Sequence, residues 1–486
     1  MTLACRRAAG MVSLLALTVA GPLQAEEWSR FRGPNGSGVS PSSNLPVEFG
    51  PEQNVRWAVE VPFGRSSPAF GGDRIFLTAT DGGGLVTLAL DRSSGETVWR
   101  RTVERAEAAE LYSGNDSATP TPVTDGSNVY VLFHEAGVVS YDAAGQERWR
   151  HSLGPFRNYY GVSASPVLAG DRLLVVCEQA VGSFLLALDK DTGKVLWRAD
   201  RPGRRESYTT PILYPGGDSP RELLVYGSRW IDAYDLETGE VAWTLGGVSA
   251  APVASPVLDG GRLFVVGHDQ EPEPLPPFHE LAGKHDADGD ECLTGAELEG
   301  TWMAAHVGWL DVDASGCVSA DDWAATDREM GTEEWGAFAI ELDGEDGQPA
   351  TLWNYRRNVS YIPSPVVYDD VFYMVRDSIV SSLDARTGEV HKRGRLARGK
   401  MKVYASPVAG DGKIYFASVE GQVAVVKADS QWEVLAVNDL EDEIYATPAI
   451  VDGRLYVRTR GRLYCFASAL SSMKEPTAAP PLSEPR

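Results

Sequence analysis

Basic residues are scarce in this chain of 486 residues. Lysine and arginine number 44 against 68 aspartates and glutamates, so the formal net charge is −24. Because nucleic-acid binding needs clustered Lys and Arg side chains that neutralise phosphates, this balance argues against nucleic acid as a partner. Beyond the first 25 residues, no apolar stretch is long enough to span a bilayer. The sequence therefore disfavours polyanion-binding proteins and, once its N-terminus is removed, integral membrane proteins.

Motifs that carry catalysis are also missing. The chain has no HExxH, CxxC or GxSxG motif, and no glycine-rich loop that precedes a helix and cradles phosphate. The four histidines within residues 268–335, which are His268, His279, His285 and His306, lack metal-ligand spacing. The sequence therefore indicates no catalytic residue.

The N-terminus has the pattern of a secretion signal. Arg6 and Arg7 precede an apolar run over residues 11–20, and a short stretch of mostly small residues ends at Ala25. Cleavage after Ala25 predicts a periplasmic or secreted protein, and no cysteine follows the site to carry a lipid. Cleavage would also remove Cys5 and leave four of the five cysteines in an oxidising compartment.

One phrase returns along most of the chain. A Ser-Pro or Thr-Pro step is followed by a Gly/Asp turn, an apolar run such as GDRIFLTAT, a third run, and a tight turn such as LDKDTGKVLW that leads into a fourth. One interval between steps is 109 residues and the others are 41 to 52 residues. Units of four strands with a period of about 45 residues predict an all-β, eight-bladed β-propeller. The steps lie at Pro68, Pro120, Pro166, Pro211, Pro256, Pro365, Pro407 and Pro448.

The N-terminal part of the ring is expected to complete its last blade. The last unit supplies only three strands, whereas a strand bearing Trp57 at residues 55–61 precedes the first unit. We expect this strand to pair with the strand that contains Tyr464 and to place Trp57 inside the ring. The predicted division is a signal peptide at 1–25, an extended segment at 26–52, propeller at 53–267 and 336–468, an inserted segment at 268–335, and a disordered tail at 469–486.

Tryptophans recur four residues after the glycine of the tight turn. Trp99, Trp197 and Trp243 occupy this position, where an indole buries a large apolar face between blades. These phrases resemble the tryptophan-docking, pyrroloquinoline-quinone (PQQ)-like repeats of quinoprotein alcohol dehydrogenases and of the propeller lipoprotein in the outer-membrane protein assembly machinery. The opening WSRFRGPNGSGVS at residues 28–40 looks like the start of exported bacterial proteins with such repeats. The sixth blade departs from the pattern, because His391 replaces its Trp.

The acidity of the chain is concentrated in the inserted segment. Residues 268–335 hold 18 acidic and 2 basic residues, including DADGDECLTGAE and DVDASGCVSADD. Both phrases resemble EF-hand loops, in which oxygens at positions 1, 3, 5, 7, 9 and 12 converge on a calcium ion. We expect Glu297 to dominate the first site, and Asp322, shorter than the usual Glu, to weaken the second. The expected ligands are Asp286, Asp288, Asp290, Cys292 (backbone carbonyl), Thr294 and Glu297, then Asp311, Asp313, Ser315, Cys317 (backbone carbonyl), Ser319 and Asp322.

The two loops are expected to face each other. Position 8 is apolar in both, so Leu293 should pair with Val318 as a short strand. This pairing puts Cys292 and Cys317 on one face, where they could form a disulfide.

Other details of the insertion follow from single residues. Gly300 and Thr301 predict a helix stop and a new N-cap, rather than one helix over residues 298–310. Glu291 stands where the loop pattern has glycine, so it must adopt a left-handed conformation. Outside the insertion, Cys177 and Cys465 lie in apolar runs and are predicted to be buried strand thiols.

Residues just ahead of the Pro steps are expected to rim the central funnel. Their mixed charges and aromatic rings suit a ligand, but an ordinary solvated lining has the same composition. The residues are Arg65, Asp116, Tyr160, Arg205, Tyr208, Arg357, Tyr361, Lys402, Tyr404, Glu443 and Tyr445.

Two functions remain open. One is a non-enzymatic scaffold whose loops, funnel or exposed blade edge engage a protein or a small molecule. The other, implied by the resemblance, is a PQQ-dependent dehydrogenase with its cofactor in the funnel. That family places two adjacent cysteines over the cofactor, and this chain has no adjacent pair. We therefore expect a scaffold with bound calcium and without PQQ.

Overall fold

The computed structural model describes residues 28–468, except 106–110, 112–114, 155, 159, 218, 268–274, 314, 331–333 and 345–346. The predicted signal peptide and the predicted tail lie outside the described residues. Within this part of the chain, no helix has both the length and the apolar character needed to cross a bilayer.

Thirty-two strands form eight antiparallel sheets of four strands each, which confirms the predicted all-β, eight-bladed propeller. The first four blades follow the chain in order. Blade 1 contains β2 (Ala69–Gly71), β3 (Arg74–Asp81), β4 (Gly84–Asp91) and β5 (Thr97–Val103); blade 2 contains β6 (Val123–Thr124), β7 (Asn128–Phe133), β8 (Gly137–Asp142) and β9 (Glu147–His151); blade 3 contains β10 (Val167–Ala169), β11 (Arg172–Cys177), β12 (Phe184–Asp189) and β13 (Val195–Asp200); blade 4 contains β14 (Ile212–Tyr214), β15 (Glu222–Gly227), β16 (Trp230–Asp235) and β17 (Val241–Gly246).

The second half of the ring contains the insertion and the closing blade. Blade 5 contains β18 (Val257–Asp259), β19 (Arg262–Val266), β20 (Ala337–Glu341) and β21 (Ala350–Tyr355); blade 6 contains β22 (Val366–Tyr368), β23 (Val371–Arg376), β24 (Ile379–Asp384) and β25 (Val390–Arg395); blade 7 contains β26 (Val408–Gly410), β27 (Lys413–Ala417), β28 (Gln422–Lys427) and β29 (Glu433–Asp439); blade 8 contains β30 (Ala449–Val451), β31 (Arg454–Arg458), β32 (Arg462–Phe466) and β1 (Val55–Glu60).

The ring closes through its N-terminal strand, as predicted. β1 pairs antiparallel with β32, and Ala58 lies opposite Tyr464. The ring of Trp57 lies 5.8 Å from that of Tyr456 inside the same hydrophobic cluster. Across the next junction, the buried guanidinium of Arg458 in β31 donates to the carbonyl oxygens of Ser66 and Thr78, both at 2.9 Å. Blade 8 is therefore fastened to blade 1 by side chain as well as by sheet.

Burial explains why the middle strands have continuous apolar runs. β11 and β12 are buried along most of their length, whereas β13 alternates between exposed and half-buried residues. Neighbouring blades cover both faces of the inner strands, and only the outermost strand meets solvent. Cys177 in β11 and Cys465 in β32 are buried free thiols, as expected.

Tryptophans join successive blades. The indole of Trp197 donates to the Leu236 carbonyl in blade 4 at 3.0 Å, and Trp99 and Trp149 make the same bond to their next blades. The Trp197 ring lies over Gly239, where a Cβ atom would come within 2.6 Å of the ring. Glycine in the turn is therefore needed for this close approach as well as for its positive φ of 72°.

The junction between blades 6 and 7 reverses this arrangement. Blade 6 has His391 in place of Trp, but the turn of blade 7 carries Trp432, which is 1% exposed. The Trp432 ring packs back against Gly394 of β25, and the Lys392 ammonium lies 4.6 Å from the ring centre. The repeat pattern did not predict this contact, because in the pattern the tryptophan belongs to the earlier blade of a junction and here it belongs to the later one.

A buried ion network joins blades 3 and 4. The Arg201 guanidinium binds Glu178, and its Nη1 lies 3.2 Å from Asp232 Oδ2; these three side chains are at most 1% exposed. Arg204 adds two bonds of 2.9 Å to the Asp232 carboxylate, and the Ser207 hydroxyl donates to Glu178. Burial raises the pKa of Asp232, but the bond from Arg204 and the charge of Arg201 outweigh it and hold the pKa below its ordinary value. The network anchors the segment that leads into the centre of the ring.

The insertion lies between β19 and β20 and has its own small core. Its helices are α1 (Phe278–His285), a 3-10 turn at Trp302–His306, α2 (Val307–Leu310) and α3 (Ala320–Met330). Its buried cluster consists of Leu281, Leu293, Leu298, Met303, Leu310, Val318 and Trp323.

Candidate functional site: the central cavity and the acidic loops

The centre of the ring holds a cavity of ≈ 470 Å³, built by the residues that introduce each innermost strand. The residue immediately before each strand-starting proline supplies a hydroxyl group to its wall in all eight blades. These residues are Ser67, Thr121, Ser165, Thr210, Ser255, Ser364, Ser406 and Thr447. In blade 2 the equivalent proline is Pro122, not the predicted Pro120, because that blade has two consecutive Thr-Pro steps and β6 begins after the second.

The hydroxyl groups link neighbouring blades around the axis. At seven junctions the backbone N–H of one of these residues donates to the Oγ of its counterpart in the next blade, at 2.8–3.0 Å. The repeated Ser/Thr-Pro step thus has a physical reason: the hydroxyl accepts a bond between blades, and the proline starts the innermost strand with a fixed φ.

Two residues further back, the eight blades differ. This second tier contains Arg65, Thr119, Ser163, Tyr208, Val253, Ile362, Tyr404 and Tyr445, and all of them line the cavity. Every blade supplies a Ser or Thr to the first tier, so the chemical differences around the cavity come from the second tier.

The arginine of this tier has three neighbours. The Arg65 guanidinium lies over the Tyr445 ring at 4.7 Å and over the Phe63 ring at 5.1 Å. Its Nη1 is 3.4 Å from Asp116 Oδ2. Its positive charge is therefore largely balanced.

Of the eleven predicted funnel residues, six line the cavity: Arg65, Tyr160, Tyr208, Tyr361, Tyr404 and Tyr445. The other five were assigned wrongly. Lys402 lies over the Tyr404 ring at 4.6 Å, Glu443 pairs with Arg460, and Arg357 is exposed. Asp116 is the partner of Arg65 just described, and Arg205 contacts the insertion.

The N-terminal segment forms the floor of the cavity. Phe31 lines the cavity, and the flanking arginines donate to carbonyls on different blades: Arg30 to Pro211 at 2.6 Å and Arg32 to Pro365 at 2.5 Å. Burial lowers the pKa of Arg30 to about 10 and that of Arg32 to about 9. The place of the WSRFRGPNGSGVS segment could not be predicted from the sequence, because its two arginine bonds reach residues 181 and 333 positions away.

The first acidic loop, residues 286–297, brings three carboxylates together. Single oxygens of Asp286, Asp288 and Asp290 all lie within 4.8 Å of one another. The amide of Asp290 lowers the pKa of Asp288, but the neighbouring negative charges outweigh it and raise the pKa. Glu297 stands outside this group, and its oxygens accept from the backbone amides of Ala287 and Thr294 at 3.0 and 2.9 Å. A cation would relieve the repulsion among the three aspartates.

Glu291 in this loop has φ 62°, the left-handed conformation that was predicted. The residue takes this conformation because the Asp286 carboxylate accepts from the amides of both Gly289 and Glu291, at 2.7 and 3.0 Å.

The second acidic loop, residues 311–322, has a similar arrangement. Oxygens of Asp311, Asp313 and Asp322 lie within 4.8 Å of one another. The Asp322 carboxylate accepts from the amides of Val312 and Ser319, both at 2.9 Å. Although shorter than glutamate, Asp322 therefore reaches the centre of its loop.

The two loops are paired and cross-linked. Leu293 and Val318 exchange backbone hydrogen bonds of 2.9 Å, as predicted. Cys292 and Cys317 form a disulfide with their Cα atoms 5.5 Å apart.

Between the loops, the chain breaks after Gly300, as predicted, and resumes as the 3-10 turn and α2. Thr301 does not cap this turn: its hydroxyl donates to the Leu298 carbonyl at 2.7 Å instead.

The insertion docks onto the segment that leads into blade 4. The Arg205 guanidinium lies 4.5 Å from the centre of the Trp309 ring, and its Nη1 is 3.4 Å from Thr326 Oγ1 of α3. Arg205 is 5% exposed and stands three residues before Tyr208 of the cavity wall. The insertion therefore contacts the same short segment that supplies Tyr208 to the cavity wall.

Comparison with known proteins agrees with this geometry. The model of the PQQ-like family described as "Outer membrane protein assembly factor BamB" matches residues 52–185, 181–275 and 325–472. The chain belongs to this family. The matched segments cover most of the ring and omit residues 276–324 of the insertion.

Two curated relatives represent different functions within the repeat class. BamB of Burkholderia pseudomallei (strain K96243) is 26% identical over 205 residues, which are 41% of this chain and 48% of that protein. Polyvinylalcohol dehydrogenase of Sphingopyxis sp. (strain 113P3) is 24% identical over 297 residues, 51% of this chain and 44% of that protein. The chain thus spans less than half of the length of either relative.

Solved structures share the fold. The crystal structure of BamB from Moraxella catarrhalis has a TM-score of 0.54 at 15% identity, covering 85% of this chain and 98% of that one. A europium-containing methanol dehydrogenase has a TM-score of 0.59 at 12% identity, covering 92% of this chain and 99% of that one. At these identities the likeness shows the propeller fold alone.

Proposed function

We propose that this protein is an exported, calcium-binding propeller that acts as a non-enzymatic binding scaffold for a protein or small molecule. The observation that carries the proposal is the lining of the cavity. Among the described residues that form it, the only ionised side chain is Arg65, and there is no carboxylate, histidine or cysteine. General acid–base or nucleophilic catalysis needs such a group within hydrogen-bond reach of the substrate.

The tyrosines of the cavity do not replace these groups. Burial raises the pKa of Tyr208 well above its ordinary value, and the charge of Glu206 raises it further. A phenol that stays protonated at neutral pH can donate or accept hydrogen bonds but is a poor base.

A PQQ-dependent dehydrogenase is the alternative, and the Sphingopyxis relative favours it. PQQ carries three carboxylates, so its site needs several positive charges close to the cofactor. The described lining offers one guanidinium, that of Arg65, which already faces Asp116, and it contains no tryptophan to stack on the cofactor. The residues present therefore do not fit PQQ.

The test is to incubate purified protein with PQQ and calcium, desalt it, record an absorbance spectrum and assay dye-linked alcohol oxidation. We expect no retained quinone and no dye reduction. Stoichiometric retention of quinone together with alcohol-dependent dye reduction would overturn the scaffold proposal.

The calcium part of the proposal rests on the two acidic loops. Each brings oxygens of three carboxylates within 4.8 Å of one another, and its sequence carries further oxygen-bearing residues at the spacing of a calcium loop. In the first site the ligands would be Asp286, Asp288, Asp290, the Cys292 carbonyl, Thr294 and Glu297; in the second, Asp311, Asp313, Ser315, the Cys317 carbonyl, Ser319 and Asp322. Calcium here orders the insertion and has no chemical step.

Calorimetry with Glu297→Gln tests this assignment. We expect the first site to lose at least about tenfold in calcium affinity, equivalent to about 1.4 kcal/mol, because a charged ligand is removed. Glu299→Gln, two residues further on and exposed, is the matched control and should bind as wild type. A Glu297→Gln isotherm identical to that of wild type would reject the metal site.

Export has two independent supports. The first residues have the pattern of a cleavable signal, and the insertion contains a disulfide, which persists in oxidising compartments. The name of the Burkholderia relative, an outer membrane protein assembly factor, is consistent with a protein partner in such a compartment.

A further inference from the structure

The cavity wall contains hydrogen-bond donors that the fold itself does not use. The seven hydroxyl groups that accept a bond between blades belong to residues that are only 2–5% exposed. Within the described part of the chain, none of these hydroxyls donates to another protein group. A buried donor without an acceptor costs about 1–3 kcal/mol. These hydroxyl groups are therefore available to donate to a ligand, and they face the cavity from several blades.

The upper wall adds flat apolar faces to this polar ring. Tyr160 and Tyr208 meet edge to face with ring centres 5.3 Å apart. Tyr404 and Tyr445 lie in the neighbouring seventh and eighth blades and also line the cavity. A ring of hydroxyl groups together with several tyrosine side chains matches a molecule that presents both polar groups and C–H groups.

Charge and size narrow the class of ligand. Arg65 is the only ionised side chain among the described lining residues, so the wall tolerates at most one negative charge on the ligand. The volume of ≈ 470 Å³ lies within the range of about 300–1,000 Å³ that small-molecule sites occupy. Phe31 of the N-terminal segment adds one more aromatic ring to the lining.

We propose that the central cavity binds a carbohydrate of one or two pyranose rings that carries no more than one carboxylate. The ring hydroxyls of the sugar would accept from the Ser/Thr tier, its C–H faces would stack on Tyr404 and Tyr445, and a single carboxylate would lie at Arg65. This inference names the class of ligand for the proposed scaffold. It rests on the proposed function in one respect, which is that no quinone occupies the cavity.

Saturation-transfer NMR and calorimetry on the full mature chain test the proposal with four probes: D-glucose, maltose, cellobiose and D-glucuronate. We expect at least one probe to bind, and Tyr404→Leu and Tyr445→Leu each to weaken that binding by about tenfold. Tyr355→Leu is the matched control, because this half-buried tyrosine lies on the outermost strand of blade 5 and does not line the cavity. Its affinity should equal that of wild type.

A further variant separates the charge from the stacking. Arg65→Met should weaken glucuronate more than it weakens a neutral sugar. Thermal melting of each variant establishes that the ring is intact, and only folded variants are compared.

Three results would overturn the carbohydrate assignment: no binding of any probe to the folded wild type, full affinity in folded Tyr404→Leu and Tyr445→Leu, or equal loss in Tyr355→Leu. None of these touches the scaffold proposal, which fails only if quinone is retained with alcohol oxidation. The two proposals are therefore rejected by different measurements.

Discussion

The ring and the insertion are stabilised in different ways. In the ring, seven hydrophobic clusters run from blade to blade, and each blade buries its faces against its neighbours. The insertion has one cluster of seven buried residues, a disulfide and two loops closed around carboxylates. A segment of this size cannot bury enough apolar surface alone, so local cross-links take the place of a large core.

The two regions meet at Arg205, which contacts Trp309 and Thr326 of the insertion. They also meet at Arg356, which follows β21, pairs with Glu334 and lies over the Trp335 ring. Because few side chains among the described residues join the two regions, we expect a perturbation of one region to leave most of the other intact. The first two of the next three predictions test that separation, and the third tests a bond within the ring.

The largest effect is expected in the ring from Arg201→Met. The substitution leaves the carboxylates of Glu178 and Asp232 buried without Arg201, so stability should fall by about 3–5 kcal/mol. Denaturant unfolding measures the loss, and calorimetry should show unchanged calcium binding. Arg198→Met, on an outermost strand with an exposed ion pair, is the control and should change stability little. Equal effects of the two variants would contradict the role of the buried network, and altered calcium binding in Arg201→Met would contradict the separation.

A smaller, local effect is expected from replacing Cys292 and Cys317 together by serine. The bridge closes a loop of 25 residues, so the insertion should lose about 3 kcal/mol while the melting temperature of the ring stays the same. Amide hydrogen exchange measures the two regions at once. Faster exchange in the middle strands of blades 2 and 7, far from the insertion in sequence, would show that the regions are coupled.

The smallest effect is expected from a single position in the hydroxyl tier. Ser255→Ala removes the acceptor of the Thr210 amide, 2.8 Å away, and should lower ring stability by about 1 kcal/mol. Ser255→Thr keeps the hydroxyl and should restore most of that loss. An alanine variant as stable as wild type would show that the tier does not hold blades together.

The blades were predictable because their information is local and repeated. The period, the turn phrase and the spare Trp57 strand predicted eight blades and the β1–β32 pairing. The spacing within the acidic loops likewise predicted the Leu293–Val318 pair and the disulfide.

The rest of the site depends on contacts distant in sequence. Phe31 reaches the cavity floor only because its flanking arginines bind carbonyls in blades 4 and 6. Arg205 contacts the insertion instead of the funnel. Blade 2 has two consecutive Thr-Pro steps, so the sequence did not indicate that Pro122, and not Pro120, starts its innermost strand. A repeat pattern cannot predict these three features, because each of them occurs only once in the sequence.

The path of the N-terminal segment has a consequence for how the molecule folds. Residues 38–60 contact the last two blades to be made: the Ser40 amide donates to the Ala409 carbonyl, the Phe49 amide donates to Asn438 Oδ1, and β1 pairs with β32. This early part of the chain therefore has no complete set of partners until the final strand is available. Such contacts, separated by about 400 residues, make ring formation slow and all-or-none. A chain that stops before β32 should leave its own beginning unpaired.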